Sequence, residues 1–538
     1  MMQRWNGWGD PSITMEISKK AREMLTELIG ASMPVPDVPM EHLLDKVPES
    51  RLPKHPLISV DTADRLLHAH GQSLPDWISL RGGTLHLFPD GVAHPSSLEE
   101  LEKIIDFASD NGIVIIPYGG GTSVVGHLQI PQENRPVLSI SMKRLNRLIS
   151  IDKQSHLAVF EAGVTGPDIE AQLRAQGFTL GHYPQSFEYS SLGGWIATRS
   201  SGQQSRHFGR IEQLFAGGEI ITPKGKLYLP PFPASAAGPD LREMIMGSEG
   251  RLGVISKAIL RISPIPENDI VYGVFFSSWD QATEAARNIS NSKIPYSMLR
   301  LSTAAETMTS LALISGHETE ISLLKKYLRI RGLKIDKACM CLIGFTGTDR
   351  IVKSAKKEAF GIIRSHGGIS VGRSMGNSWK KNRFRTPYLR NTLWDEGYAV
   401  DTLETAVTWD KVNPAMESIE FAIKSALLPM DEKIHVFSHL SHVYPTGTSI
   451  YTQFVFRITD SPRENLNRWK AIKEAASNAI IEAGGTISHQ HGVGKDHAPY
   501  IKAEKGVLGL GMIKHIFEEI DPENRMSPGN IINKAGDK

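Results

Sequence analysis

Three segments rich in glycine and hydroxyl side chains carry chemistry. Pro117-Tyr-Gly-Gly-Gly-Thr-Ser123 follows a short apolar run. Gly119, Gly120 and Gly121 lack Cβ atoms, so backbone N–H groups can approach an anion closely, and Thr122 and Ser123 add hydroxyl donors. That is chemistry for a diphosphate. The segment is not a Rossmann fingerprint, because Val124 stands where the third glycine belongs. Nor is it a Walker A loop, because His127 stands where lysine is needed. Ser190-Ser-Leu-Gly-Gly-Trp-Ile-Ala-Thr-Arg-Ser-Ser-Gly202 mixes glycines and hydroxyls around Arg199, and Gly247-Ser-Glu-Gly-Arg-Leu-Gly-Val-Ile255 is a glycine-spaced turn running into a strand. Any one of these could be only a structural turn. Together they suit one large, extended cofactor.

Further candidates lie toward the other end of the chain. His489 and His491 sit two apart, so in an extended segment their side chains share a face and can converge on one ligand. A metal pair is conceivable, but no third ligand is evident, so proton and hydrogen-bond roles are preferred and no metal is expected. Tyr451 lies in an apparent strand, Thr448–Phe456, where the plain alternative is a packed tyrosine with a satisfied hydroxyl. Cys339 and Cys341 alternate in a strand-like run, so both thiols share a buried face and inert packing is expected. A basic run from Arg373 to Arg390 includes Lys380, Lys381, Arg383 and Arg385, interleaved with Trp379, Phe384 and Tyr388. It could be a phosphate funnel, a peripheral contact with an anionic membrane, or a solvated basic face.

The elements that must position these residues are read from punctuation and periodicity. A chain of 538 residues exceeds one ordinary core, so two or three domains are expected. Lys plus Arg number 60 against 58 Asp plus Glu, a balance of +2 that lacks the basic footprint of a nucleic-acid binder. Two cysteines exclude a disulfide scaffold. No apolar run reaches the roughly 18 residues of a membrane span. The first residues lack a signal-peptide core and Lys534–Lys538 is not a peroxisomal signal, so a cytoplasmic location is expected. A helix is predicted near Met15–Ile29. The capping box Ser97-Leu-Glu-Glu100 opens another that ends at Gly112. A strand at Val114–Ile116 is stopped by Pro117, a strand covers Leu157–Glu161, and a helix runs from Pro167 to Gln176. A second capping box, Ser461-Pro-Arg-Glu464, opens a long helix stopped by Gly484-Gly485. Alternating strands and helices predict a layered α/β or α+β domain over 92–265, with a boundary at 264–268.

As an ordered set, these motifs resemble the vanillyl-alcohol-oxidase type of FAD-binding fold. The set is Pro117–Ser123, Gly193-Gly-x-x-x-Thr-Arg-x-Ser-Gly202, Gly238-Pro-Asp240, Gly247–Ile255, His491-Gly-Val-Gly-Lys495 and Asp521-Pro-x-Asn-x-x-x-Pro-Gly529. Within that superfamily the chain is most similar to the alkyldihydroxyacetonephosphate synthase family and its bacterial relatives. Trp5-Asn-Gly-Trp-Gly9, the Ala197–Gly202 wording, the spacing of Tyr388-Leu-Arg390 and Tyr451, and Ser488–Lys495 carry that similarity. Gln490 stands where the family's middle histidine stands, and glutamine cannot hold a proton at neutral pH.

The resemblance implies an α+β protein with a two-subdomain PCMH-type FAD-binding domain and an α+β cap. The divisions are an N-terminal segment (1–91), the FAD domain (92–265), the cap (266–455) and a C-terminal helical segment completing the active site (456–538). It implies non-covalent FAD held by Pro117, Tyr118, Gly119, Gly120, Gly121, Thr122 and Ser123, with Gln185, Ser186, Ser190 and Ser191. Gly194, Thr198, Arg199, Ser200 and Ser201, then Glu249, Gly250, Leu252, Gly253, Val254 and Ile255, complete that set, mostly through backbone. His127 is expected to be a polar surface or loop histidine and not a flavin attachment point.

Tyr451 becomes the acid/base at the substrate carbon, which requires nearby cations to depress its pKa. His489 and His491 serve it, and Arg390 and Arg300 hold a substrate phosphate through their forked donors. The implied reaction is redox-neutral exchange of the acyl group of acyl-dihydroxyacetone phosphate for a long-chain alcohol. The alternative is an FAD-linked oxidase or dehydrogenase of a 2-hydroxy acid, which Gln490 favours slightly. The resemblance also implies a homodimer and a small-molecule or lipid phosphate substrate.

Overall fold

The computed structural model describes residues 3–313 and 318–532; the C-terminal Lys534–Lys538 considered above lies outside them. Three main sheets organise the chain. The first has four strands in the order Ile58–Ser59, Gly91–Ala93, Val137–Ser141, Val114–Tyr118. Its last three strands pair in parallel. Pro117 does not end its strand. The strand is the outermost of this sheet, where a missing N–H removes no ladder bond. The C-terminal segment lies along that strand instead: Ile115 donates its N–H to the Arg525 carbonyl (2.8 Å) and Ser527 donates to the Ile115 carbonyl (2.9 Å).

The second sheet is antiparallel, in the order Leu148–Asp152, Leu157–Glu161, Val254–Arg261, Phe215–Thr222, Gly225–Leu229. The third has seven antiparallel strands: Ile369–Gly372, Asn268–Phe276, Cys339–Gly347, Met298–Ser302, Ile434–Tyr444, Gly447–Arg457 and Tyr398–Thr408. The whole is an α+β architecture.

Local signals behave as their chemistry requires. The Ser97 hydroxyl accepts from the Glu100 N–H at 3.2 Å and opens helix Leu98–Asp110. The Glu100 carboxylate returns the bond to Ser96, one residue earlier than a strict capping box. The N-terminal helix begins at Lys19, after Ser18 as its cap. The predicted helix near 167–176 spans Gly166–Arg174, and the long helix spans Pro462–Glu482 with Ser461 as its cap. Gly484 then adopts φ +69°, a left-handed turn that suits glycine. Cys339 and Cys341 are buried in their strand, where burial pushes both thiols up to about 12.

Alternation along the third sheet separates an apolar face from a polar one. Leu403, Leu440, Ile450, Phe454 and Phe456 face a core closed by helices Val412–Ala426 and Pro462–Glu482. Successive strand residues point to opposite faces, so Glu404, His439 and Tyr451 fall on the other side. Register puts them in one row: Glu404 opposite Tyr451, Tyr451 opposite His439, and His439 opposite Ser302.

Candidate active site

Two of the glycine-rich segments meet. A Cβ on Gly119 would overlap the Ser191 hydroxyl, one on Gly120 the Tyr189 carbonyl, and one on Gly121, at φ +70°, the Tyr118 ring. The loop after strand Val114–Tyr118 therefore lies directly on the 189–191 segment, with backbone amides exposed where side chains would otherwise stand. Ser191 caps helix Leu192–Thr198 by accepting from the Gly194 N–H. Ser190 accepts from the Trp195 indole at 2.7 Å and donates to the Ser186 carbonyl at 2.9 Å, which fixes the loop's shape. This glycine-and-hydroxyl cradle fits an extended dinucleotide such as FAD.

Glu249 holds the third segment to the C-terminal motif. At φ +53° it turns its buried carboxylate to accept from the backbone N–H groups of Val493 (2.5 Å) and Gly494 (2.8 Å). His127 Nε2 faces it at 3.1 Å, and the Ser123 hydroxyl meets His127 Nδ1 at 2.6 Å. Asn530 donates to the carbonyls of both His127 (3.2 Å) and Glu249 (3.1 Å). One buried knot thus ties 117–127, 247–255, 491–495 and the terminal Asp521–Gly529 motif together. His127 corrects an expectation: it is in a loop but buried, enclosed between Ser123 and the Glu249 carboxylate.

Other expected cofactor residues divide by which part of them is available. Leu252, Val254 and Ile255 bury their side chains in hydrophobic cores, so only their backbone, with that of Gly250 and Gly253, can meet a ligand. Arg199, at φ +54°, sends its guanidinium to Glu243 (2.6 Å) and the Met246 carbonyl (3.0 Å). Gln185 donates to the Arg383 carbonyl at 2.6 Å. Thr198 bonds back to the Gly194 carbonyl, Ser200 meets His182 at 3.2 Å, and Ser201 meets His442 at 3.3 Å.

Facing these loops is the polar row of the third sheet. Tyr451 donates to Thr402 Oγ1 at 3.2 Å and lies under the His439 ring, with centroids 4.8 Å apart. His439 Nδ1 is 3.0 Å from Glu306, and Arg300 pairs with the same carboxylate at 2.6 Å. Burial raises Glu306, but His439 and Arg300 outweigh it and bring the carboxyl down to about 2. Tyr451 goes the other way. Burial pushes its hydroxyl above the ordinary phenol range, and the Thr402 hydrogen bond and Arg300 offset only part of that. The expected depression by cations is therefore not present. Arg300, the cation that acts on it, is already paired with Glu306.

The two histidines sit in different surroundings. Segment 486–489 runs along strand Tyr398–Thr408: Thr486 donates to the Ala406 carbonyl (3.3 Å) and His489 to that of Glu404 (3.1 Å). The His489 ring is enclosed. Nδ1 lies 3.2 Å from a Glu404 carboxylate oxygen, without the geometry of a full hydrogen bond. Nε2 receives Arg210 Nη1 at 2.9 Å and lies 2.8 Å from the Tyr444 hydroxyl. His491, by contrast, meets Tyr451 edge-on at 5.9 Å, and among the described residues its ring makes no hydrogen bond. The absence of a third metal ligand also needs correcting. Glu404, His442 and His489 bring one ligand atom each within 4.8 Å of one another, though His491 is not among them.

Arg390 is placed from a distance. Asn391 accepts from the Trp8 N–H (2.9 Å) and donates to the Trp8 carbonyl (3.0 Å), so Trp5–Gly9 docks on the helix that carries Arg390. The Arg390 guanidinium lies 4.3 Å over Trp77 and donates to the Gln72 carbonyl at 2.5 Å, leaving Nη2 buried without a partner. Burial lowers its pKa to about 10, against the pull of Asp401. The rest of the basic run is divided: Lys381 and Arg373 are exposed, while others pack against neighbouring side chains. Lys380 pairs with Asp269 at 2.5 Å, Arg383 stacks on Tyr183 at 4.3 Å, and Arg373 and Arg385 lie over Tyr272 and Tyr388.

Sequence reasoning misses Arg210, Glu404, His439, His442 and Tyr444. Strand alternation in 434–457 is the available signal, since polar residues there occupy one face.

Residues 89–228 match the model of the FAD binding domain, and residues 265–531 match that of FAD linked oxidases, C-terminal domain. With the cradle and the seven-stranded sheet, this defines a PCMH-type flavoprotein that uses FAD. Alkyldihydroxyacetonephosphate synthase from Dictyostelium discoideum is 30% identical over 572 residues, covering 98% of this chain and 93% of that one. A solved alkyldihydroxyacetonephosphate synthase structure superposes with a TM-score of 0.84 at 27% identity, covering 98% of each chain. The chain belongs to the alkyldihydroxyacetonephosphate synthase family. Glycolate oxidase subunit GlcD from Bacillus subtilis is more distant, 26% identical over 84% of this chain and 90% of that one.

Proposed function

We propose that this chain exchanges the acyl group of acyl-dihydroxyacetone phosphate for a long-chain alcohol, forming the ether bond of an ether-lipid precursor. The observation that carries this is the pairing of near-full-length family likeness with a half-buried Tyr451–His491–Arg390 constellation beside the cradle. In this reading residues 92–265 hold FAD, 266–455 supply the lipid channel and 456–538 complete the site. Bound FAD would supply an electrophilic ring position for the substrate carbon. It is held without a covalent link through His127, whose two ring nitrogens already face Ser123 and Glu249.

The protein's own groups divide the remaining work. Arg390 holds the phosphate with its unpartnered Nη2, inside a site where burial strengthens the contact. Arg300 can assist only with donors not taken by Glu306 and His439. Tyr451 rests as a neutral phenol. To take a proton from the substrate carbon it must first release its own, and the unpartnered His491 imidazole is the adjacent acceptor. That proton can leave on the departing fatty acid, the incoming alcohol's proton then takes its place on His491, and Tyr451 hands the abstracted proton back to the substrate carbon before recovering its own from His491, so the cycle needs no external acid. Gln490 carries no proton in this scheme.

Among the described residues no helix is long and apolar enough to cross a membrane. Homodimerisation and peripheral membrane contact are part of the same proposal, tested by sedimentation and vesicle flotation.

The deciding experiment is anaerobic. Purified yellow protein is given acyl-dihydroxyacetone phosphate and labelled hexadecanol while the flavin spectrum is recorded. An alkali-stable labelled ether with no net flavin reduction is the expected result. Absence of ether, with bleaching of the flavin by a 2-hydroxy acid, would replace the synthase with the dehydrogenase alternative.

A further inference from the structure

Arg210 belongs to no recognised motif, yet it has the densest set of contacts around the histidine segment. It stands on the FAD-domain side, just before the short helix Ile211–Leu214, and reaches across to the cap and C-terminal segment. Nη1 donates to His489 Nε2 (2.9 Å) and to the Tyr444 hydroxyl (3.1 Å). Nη2 donates to the His489 backbone carbonyl (3.1 Å). Glu212 anchors the other side of the guanidinium, with Nε at 3.2 Å and Nη2 at 3.1 Å. Side chain and main chain of one histidine are thus gripped by one planar fork.

Hydrogen-bond valence then settles where the His489 proton sits. A guanidinium has donors only, so a ring nitrogen 2.9 Å from it must be an acceptor. Nε2 is therefore the bare nitrogen, and the proton is on Nδ1, directed at Glu404. The Tyr444 hydroxyl, 2.8 Å away, points its hydrogen at the same lone pair. This tautomer also bears on the Glu404–His442–His489 cluster. Of the two His489 nitrogens, one carries the proton and the other is taken by Arg210 and Tyr444, so neither is free for a cation. With Nε2 saturated and Nδ1 already carrying its hydrogen beside Glu404, His489 has no free position for a substrate proton.

We propose that Arg210 is a positioning residue: by gripping both the imidazole and the carbonyl of His489, it withdraws that histidine from proton exchange and sets the following segment so that His491, and not His489, faces Tyr451. His489 becomes a fixed strut between the FAD domain and the sheet edge, with Glu404 orienting it from below. The groups facing it are Arg210, Tyr444, Glu404 and His442, with Glu212 behind the arginine. This division of roles rests on the synthase proposal only for its kinetic arm; the tautomer is read without substrate.

The test uses FAD-loaded full-length protein labelled with 15N-histidine. Two-bond 15N–1H spectra distinguish Nδ1–H from Nε2–H, and the His489 signals are assigned by their loss in His489→Gln. Wild type is expected to show His489 as a single Nδ1–H tautomer. Arg210→Met is expected to give a mixture containing Nε2–H, to lower kcat about 10²-fold, the lower end of what one positioned acid/base group contributes, and to change KM less than about twofold. Arg210→Lys keeps a donor and a charge but loses the fork, and should restore the Nδ1–H signal with only part of kcat. If Arg210→Met does not retain flavin, the lysine variant and Tyr444→Phe still report the tautomer. Both should keep Nδ1–H, because a donor remains at Nε2. An Nε2–H signal in wild type, or an unchanged tautomer in Arg210→Met, overturns the proposal. Failure of ether synthesis with the expected tautomers would instead count against the synthase reading.

Discussion

The glycine cradle and the polar face of the third sheet use opposite strategies. In the cradle the backbone does the work and side chains are absent where contact is needed: Gly119, Gly120 and Gly121 lie against Ser191, Tyr189 and Tyr118. On the sheet the backbone is consumed by ladder bonds, and the chemistry is in side chains that register places in a row, Glu404–Tyr451–His439–Ser302. A backbone site tolerates no added atom. A side-chain site tolerates removal of an atom structurally and loses chemistry instead.

The sharpest break between the two comes from Gly120→Val. Its branched side chain would overlap the Tyr189 carbonyl, so the purified variant should lack flavin absorbance altogether while retaining a folded circular-dichroism spectrum. Tyr451→Phe should do the reverse. It should keep full flavin content and lose about 10²–10⁴-fold in turnover, measured as ether product per flavin; a loss of flavin instead would dissolve the distinction.

Acid stability probes the sheet side alone. Glu306 sits at about 2, against 4.5 for an ordinary glutamate, so it is depressed in the folded protein. Its contribution is fully present above the unfolded value and is lost as pH falls toward about 2. It amounts to about 3 kcal/mol. Glu306→Gln should flatten the acid limb of a denaturation series below pH 4.5, leaving flavin affinity at neutral pH unchanged. The smallest effect is expected for Arg390→Met. Trp77 stacking is kept by the aliphatic chain, so KM for the phosphate substrate should rise about tenfold, the scale of one charge-assisted hydrogen bond, with kcat little altered.

Legibility in the sequence obeys the same divide. Pro117–Ser123, Ser190–Gly202 and Gly247–Ile255 stand out because glycine is chosen where the backbone itself must be approached, and composition records that choice directly. Helix caps at Ser97 and Ser461 are equally visible, since they depend on neighbours three residues away. Resemblance finds Tyr451 and the histidine pair, but not their state. The phenol is raised, not lowered, because burial and paired cations are tertiary facts. Pro117 reads as a stop in the sequence, and it is not one, because a strand's place at the edge of a sheet is decided by distant chain.

The sequence by itself therefore determined the α+β class, the glycine-rich loops and the family, all properties of short-range spacing and backbone conformation. Only the tertiary structure decided that Arg210, Tyr444 and Glu404 converge on His489 while His491 stays unpartnered. These residues come from four segments separated by as many as 279 positions, the span from Arg210 to His489. No local pattern links them. Strand register and the docking of one domain on another bring them within hydrogen-bond distance, and at that range donor and acceptor valence assigns each histidine its role.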